Sequence, residues 1–211
     1  MGDQAHSKLI FISESLSLTG KQNPISLIRE YKYVFAWSYE DMSSLDPQVA
    51  MHHLNIKLDA KPVKEQQRQF QPDIMEAIEA EVYKLIEYGF IREEQHLNWV
   101  ANVMPVPKKN KKIRVCIDFR DLRTTCLKDE FLLSITDIMI DNMCDFKRMS
   151  YVNGFSGYNQ IKLHLNAEKH MSFRIPLGVY YYTVMPFRLK NEGATYQCAM
   201  STFFLIIYGK W

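Results

Sequence analysis

A chain of 211 residues, 47% hydrophobic and 13% aromatic, can bury a sizeable core as one large domain or two small ones, which excludes a disordered polyelectrolyte. Lys+Arg 26 against Asp+Glu 24 leaves a net charge of only +2, so a nucleic-acid partner has to be argued from local clustering. No apolar run approaches the roughly 18 residues of a membrane span, and Cys116, Cys126, Cys144 and Cys198 form no CxxC pair, so a soluble, intracellular, cytoplasmic or nuclear protein with reduced thiols is expected.

Residues 1–30 read as a leader or linker, because Gly20 to Pro24 is turn-rich and should end any structure before it. Residues 31–71 read as an extended connector. Its aromatics, Tyr31, Tyr33, Phe35, Trp37 and Tyr39, are expected to dock on the body, with a loop from Asp41 to Pro47. Pro72 suits a first helical position. Ile74, Ile78, Val82, Leu85 and Ile86 then share one face of a four-turn helix that Gly89 stops, and Phe90 to Glu93 leave it extended.

Trp99 to Pro107 alternates like a strand, residues 108–112 form a polar tip, and Ile113, Val115, Ile117 and Phe119 share a face, which together predict a β-hairpin. Between Lys108 and Lys128 stand eight Lys or Arg against two Asp, fitting either a phosphate-seeking fingertip or a hairpin edge guarded by lysines. Further on, residues 136–144 read as a helix, 148–152 as a strand, and 172–175 with 180–185 as a hairpin around Pro176 to Gly178. Residues 191–208 read as an apolar helix with Asn191 as its cap.

Four blocks then come in register: Trp99 to Arg120, Ser150 to Ile161, Ser172 to Gly178, and Met185 to Gln197. In order and spacing they resemble the fingers and early palm motifs of gypsy-like LTR-retrotransposon reverse transcriptases, over roughly residues 31–202. The resemblance implies an α+β fold, a partial right-hand polymerase with fingers and an incomplete palm, its helices packed on a mixed or antiparallel sheet. Residues 72–211 would be the reverse transcriptase part of a Pol polyprotein. RNA or DNA template-primer, dNTP and magnesium would be its partners and cofactor.

Phosphoryl transfer asks a protein mainly to position the triphosphate and neutralise charge. By resemblance, Lys108, Lys109 and Arg114 would close on the nucleotide's phosphates, Asp118 and Arg120 would brace the fingers, Tyr158 would stack under the sugar and exclude a 2′-hydroxyl, Phe187 would support the nucleotide, and Gly154, Phe155 and Arg188 would stand at the nucleotide site. Polymerases hold two divalent metals about 3.5–4 Å apart on acidic oxygens. One of the family's aspartates stands where this chain has Asn153. The others belong to a later Tyr-x-Asp-Asp turn, and no Asp-Asp dipeptide occurs in the sequence, so a fragment truncated before that turn and unable to polymerise is expected. A non-enzymatic nucleic-acid-binding remnant is the alternative.

Arg188 replaces a family glycine. The resemblance also implies proline at Leu97, Leu127, Leu132, Ser134 and Leu165, threonine at Met171 and Ile175, cysteine at Tyr181 and arginine at Cys198. Each of these changes is reachable by one C-to-T or G-to-A transition, which is the scar that deamination of methylated cytosine leaves in a silenced element.

Overall fold

The structure, a computed structural model, describes residues 11–107, 113–131, 135–146 and 153–208, with side chains described up to Phe203 in the last helix. Lys108, Lys109, Leu132, Ser134 and the strand expected at 148–152 lie outside the described residues. The chain divides into two compact units, residues 1–43 and 44–211.

In the first unit, helix α1, Leu18–Glu30, runs straight through the stretch expected to be a turn. Two local features explain the difference. The Ser17 hydroxyl accepts the Gly20 N–H at 3.2 Å, an N-cap that satisfies one of the orphan amides of the first turn. Pro24 stands four residues after Gly20, so the carbonyl that its ring crowds belongs to a residue without a side chain, which yields most easily. A 3₁₀ turn, Lys32–Val34, follows. The aromatics pair locally, Tyr31 with Tyr33 at 6.3 Å and Phe35 with Trp37 at 5.9 Å between ring centroids. Tyr31 and Tyr33 are exposed, whereas Phe35, Trp37 and Tyr39 are half-buried.

The second unit opens with β1, Met51–His52, and helix α2, Pro72–Glu87, with proline in its first turn as anticipated. Ile78 and Val82 are completely buried, each worth roughly 1.5–3 kcal/mol relative to exposure. Gly89, at φ +69°, closes α2: its N–H donates to the Ile86 carbonyl while the Phe90 N–H reaches back to Leu85. Strand β2, Ile91–Glu93, leaves from there. The expected hairpin is β3, Ala101–Pro107, against β4, Ile113–Ile117, and a short helix α3, Arg120–Thr125, follows it.

Helix α4, Thr136–Met143, forms where expected but buries nothing. Strand β5, Lys162–Leu163, and the single turn α5, Leu165–Glu168, precede the hairpin of β6, Ser172–Ile175, and β7, Gly178–Tyr182. The last helix is α6, Glu192–Tyr208. The main sheet has the order β2-β7-β6-β3-β4, antiparallel except for β3 and β6, which run parallel at Ala101 and Asn102. The Ser172 hydroxyl donates to the Trp99 carbonyl at that join. Helix α2 packs on β2 and β4. The helices therefore pack on a mixed sheet. A second, two-stranded parallel sheet joins β1 to β5.

Candidate functional site

Between residues 153 and 161 the backbone makes a tight turn. The Gly157 N–H donates to the Gly154 carbonyl, Ser156 takes a left-handed φ of +46°, and a 3₁₀ turn covers Gly157–Gln160. Side chains lock it: Asn159 Nδ2 reaches Ser156 Oγ at 2.9 Å and Gln160 Nε2 reaches the Phe155 carbonyl at 2.9 Å. Both glycines are required by α6. A Cβ on Gly154 would stand 2.7 Å from the Tyr196 hydroxyl, and one on Gly157 2.8 Å.

The turn presents Tyr158 to two further aromatic rings, Phe187 at 5.0 Å and Tyr196 edge-on at 5.1 Å. Phe187 comes into reach because the Met185 N–H donates to the Ile161 carbonyl, which fixes the two segments side by side. The result is an aromatic cluster with Phe187 58% exposed and free to meet a ligand. Tyr158 and Phe187, both singled out by the motif reading, thus lie side by side. Tyr196 was missed; its signal was the Gly154-x-x-Gly157 spacing, which asks what bulky group lies above.

Arg188 has φ +73°, a left-handed backbone that favours glycine. Glu192 curls back to accept the Leu189 N–H at 2.9 Å. Burial pushes its carboxyl pKa up, against the pull of the Leu189 and Arg188 N–H groups and the charges of Arg123 and Arg188. Burial, then the charge of Glu192 and Tyr196, raises the Tyr158 phenol. Asn191, expected as the cap of α6, does stand at the position before it, but its side chain caps nothing: it accepts the Asp129 N–H at 2.9 Å and donates to the Leu127 carbonyl at 3.0 Å. Its own carbonyl takes the Thr195 N–H, as that of a residue at the cap position does, although its φ of +67° is left-handed rather than extended.

Leu189, Asn191 and Glu192 border a cleft of about 640 Å³ that sequence reasoning did not foresee as one surface. Arg120, Arg123, Lys128 and Lys190 line it, against Asp129 and Glu192, together with Phe131 and the first residues of α6. The cations counted along the sequence between 108 and 128 are therefore gathered in part here.

Asp118 takes another part. Its carboxylate is buried and is gripped by Arg120 through two hydrogen bonds of 2.7 Å, with Arg68 at 3.3 Å. The Arg120 guanidinium beside it, outweighing the effect of burial, holds its pKa below the usual carboxylate value. Asn102, also buried, donates to Glu65 at 2.8 Å and to the Gln66 carbonyl at 2.7 Å. Asp118 and Asn102 together tie residues 65–68 to the base of the hairpin, and the Asp118 oxygens are occupied. Arg120 remains 75% exposed and also faces the cleft. Arg114 is exposed on β4 opposite Val106.

The magnesium that the resemblance implies does not fit the donors present. Asn153 is exposed and offers a neutral amide, and among the described residues no three His, Cys, Asp or Glu gather to hold a metal ion. Two cations need anionic oxygens to offset four positive charges.

No family model matches the chain. It is 29% identical over 185 residues to the retrovirus-related Pol polyprotein from transposon 412 of Drosophila melanogaster, across 85% of this chain and 15% of that protein. It is 27% identical over 131 residues to the transposon Tf2-3 polyprotein of Schizosaccharomyces pombe, across 62% of this chain and 10% of that one. The structure superposes on a foamy viral protease-reverse transcriptase solved in complex with double-stranded DNA, with a TM-score of 0.70 and 15% identity over 92% of this chain and 34% of that one. The chain therefore has a reverse-transcriptase-like fold and sequence similarity to retrotransposon Pol polyproteins, while spanning a small fraction of their length.

Proposed function

We propose that this chain is a reverse-transcriptase-derived domain of the gypsy-like type, comprising fingers and part of the palm, that has lost the ability to join nucleotides. One contrast carries the reading: the Tyr158, Phe187 and Tyr196 rings form a floor suited to a sugar and base, while the same turn carries the amide of Asn153 where the chemistry needs an acid. Arg188 works in the same direction, because its side chain occupies a backbone conformation meant for glycine at the edge of that floor.

Primer extension on an RNA or DNA template with magnesium tests it. No product is expected from this chain. Magnesium-dependent extension would overturn the reading.

A second reading, a nucleic-acid-binding remnant, is favoured by the cleft with its four cations. Phosphates neutralised by four side chains give a duplex affinity that falls on the order of 100-fold between 50 and 200 mM salt. Anisotropy of a labelled primer-template should show that slope. Replacing Arg123 or Lys128 by Ala should reduce the log-log slope by about 1 each. Salt-independent binding, or none at 50 mM salt, would dismiss the cleft as a nucleic-acid surface.

A further inference from the structure

His52 is fully buried on β1, yet only half of its ring is satisfied. Nδ1 shares a hydrogen bond of 2.8 Å with Thr195 Oγ1 on α6, and Nε2 has no partner among the described residues. The tautomer that suits such a pocket carries its proton on Nδ1 and leaves Nε2 as a bare lone pair. A second proton would place an unpaired N–H and a full charge in the interior.

The neighbours offer no compensation. The adjoining strand β5 brings Lys162 beside Met51 and is followed by His164, whose ring stacks on His53 at 4.5 Å. Helix α6, packed on β1, carries Glu192, Tyr196 and Cys198 near its start, with the Glu192 carboxylate engaged by the Leu189 N–H. The 3₁₀ turn that α6 also touches carries Tyr158.

Thr195 precedes Tyr196, the residue that roofs Gly154 and Gly157 and meets Tyr158 edge-on. The imidazole is therefore connected to the aromatic cluster through one turn of helix.

We propose that His52 is a proton-operated latch, holding the first turns of α6 on β1 while neutral and releasing them, with the Tyr196 roof, when protonated at mildly acidic pH. The direction follows from linkage. Burial, then the charge of His53, lowers its pKa from 6.5 to about 4. The released state takes the proton below 6.5 while the latched state does not until about 4, so latching is complete above neutrality and is lost as pH falls across that window. Between pH 7 and pH 5 the opening equilibrium should rise about 20-fold.

Amide hydrogen exchange on the full chain reads this directly, corrected for the intrinsic rate at each pH. The amides of Thr195 to Ala199 should open about 20-fold more at pH 5 than at pH 7, relative to those of Ile78 to Leu85 in α2. In His52→Asn, whose amide keeps a partner for Thr195 but does not titrate, the ratio should stay near 1. A ratio within two-fold in the parent chain, or the same rise in His52→Asn, would overturn the latch. Should His52→Asn not fold, the Cε1–H resonance of His52 in the parent chain decides: a midpoint well below 6.5 supports the latch, and one at 6.5 overturns it. The latch bears on the site proposed above, but its test contains no nucleic acid, so failure of binding and failure of the latch are told apart.

Discussion

Arg188 is a strained residue with an obvious remedy. A left-handed backbone costs a non-glycine residue roughly 1–2 kcal/mol, and part of that is returned when glycine loosens the unfolded chain. Arg188→Gly should stabilise by about 1 kcal/mol and raise the thermal midpoint by about 2–4 °C, read in a circular dichroism melt. Leu165 is a milder case. It is 77% exposed at the first position of α5, after His164 at φ −67° and ψ 142°, an extended backbone that proline accepts and even requires before it. Leu165→Pro should therefore gain about 0.4–1 kcal/mol by restricting the unfolded state, seen as a higher urea midpoint. Leu127 behaves differently. Its N–H donates to the Asn55 carbonyl at 2.7 Å, so proline there would forfeit a bond worth about 1 kcal/mol. Proline would thus stabilise the chain at Leu165 and destabilise it at Leu127.

At the scale of elements, a glycine facing α6 and one inside it divide by what stands near them. Gly157→Ala must displace the Tyr196 ring, whose hydroxyl, Cε2 and Cζ lie within 3.1 Å of the added Cβ, at a cost of about 1–3 kcal/mol. Gly193, in the first turn of α6, has nothing within 4 Å, and Gly193→Ala should gain about 0.5–1 kcal/mol of helix propensity. Opposite shifts in urea midpoint are expected, and a Gly157→Ala midpoint no lower than the parent's would refute the packing described for Tyr196. Elements with a long apolar stripe and a strong stop, such as α2 with Gly89, were legible in the sequence because the local signal and the packing agree. Helix α1 was not, because Gly20 and Pro24 announce a turn more loudly than Ser17 announces a cap. Asn191 was legible in part: it stands at the cap position, but residues 127–129 use its side chain.

Across the molecule, the hairpins were legible one by one, but their order in the sheet was not. Alternation reports which face a strand buries and says nothing about which strand lies beside it. β1 and β5 are two residues each and paired in parallel across more than a hundred residues, so no periodicity announces them, and His52 went unnoticed with them. The motif spacing did bring Tyr158 and Phe187 together, since the same segments that pair Ile161 with Met185 set that distance. Asp118 shows how far a pair of buried polar groups can reach: it holds Arg68 while its neighbour Asn102 on β3 holds Glu65 and Gln66. Asp118→Asn should cost about 1–3 kcal/mol, less than for a pair hidden from water because Arg68 and Arg120 can turn to solvent. Its folded pKa lies below the unfolded value of 3.8, so the stabilisation is whole above that pH and drains away as pH falls through the folded value. Acid titration of the melting midpoint should therefore be shallower in the variant below about pH 4.

The parallel join of β3 to β6 sets Ala101 beside Phe173, and β2 pairs with β7 at Ile91 and Tyr182. A polypeptide emerging from a ribosome at about 5–20 residues per second exposes β2 and the β3–β4 hairpin for several seconds before their partners exist. Until β6 and β7 arrive, the edges of those early strands stay open to any other strand nearby, so the nascent chain passes through its most aggregation-prone moment just before the sheet closes.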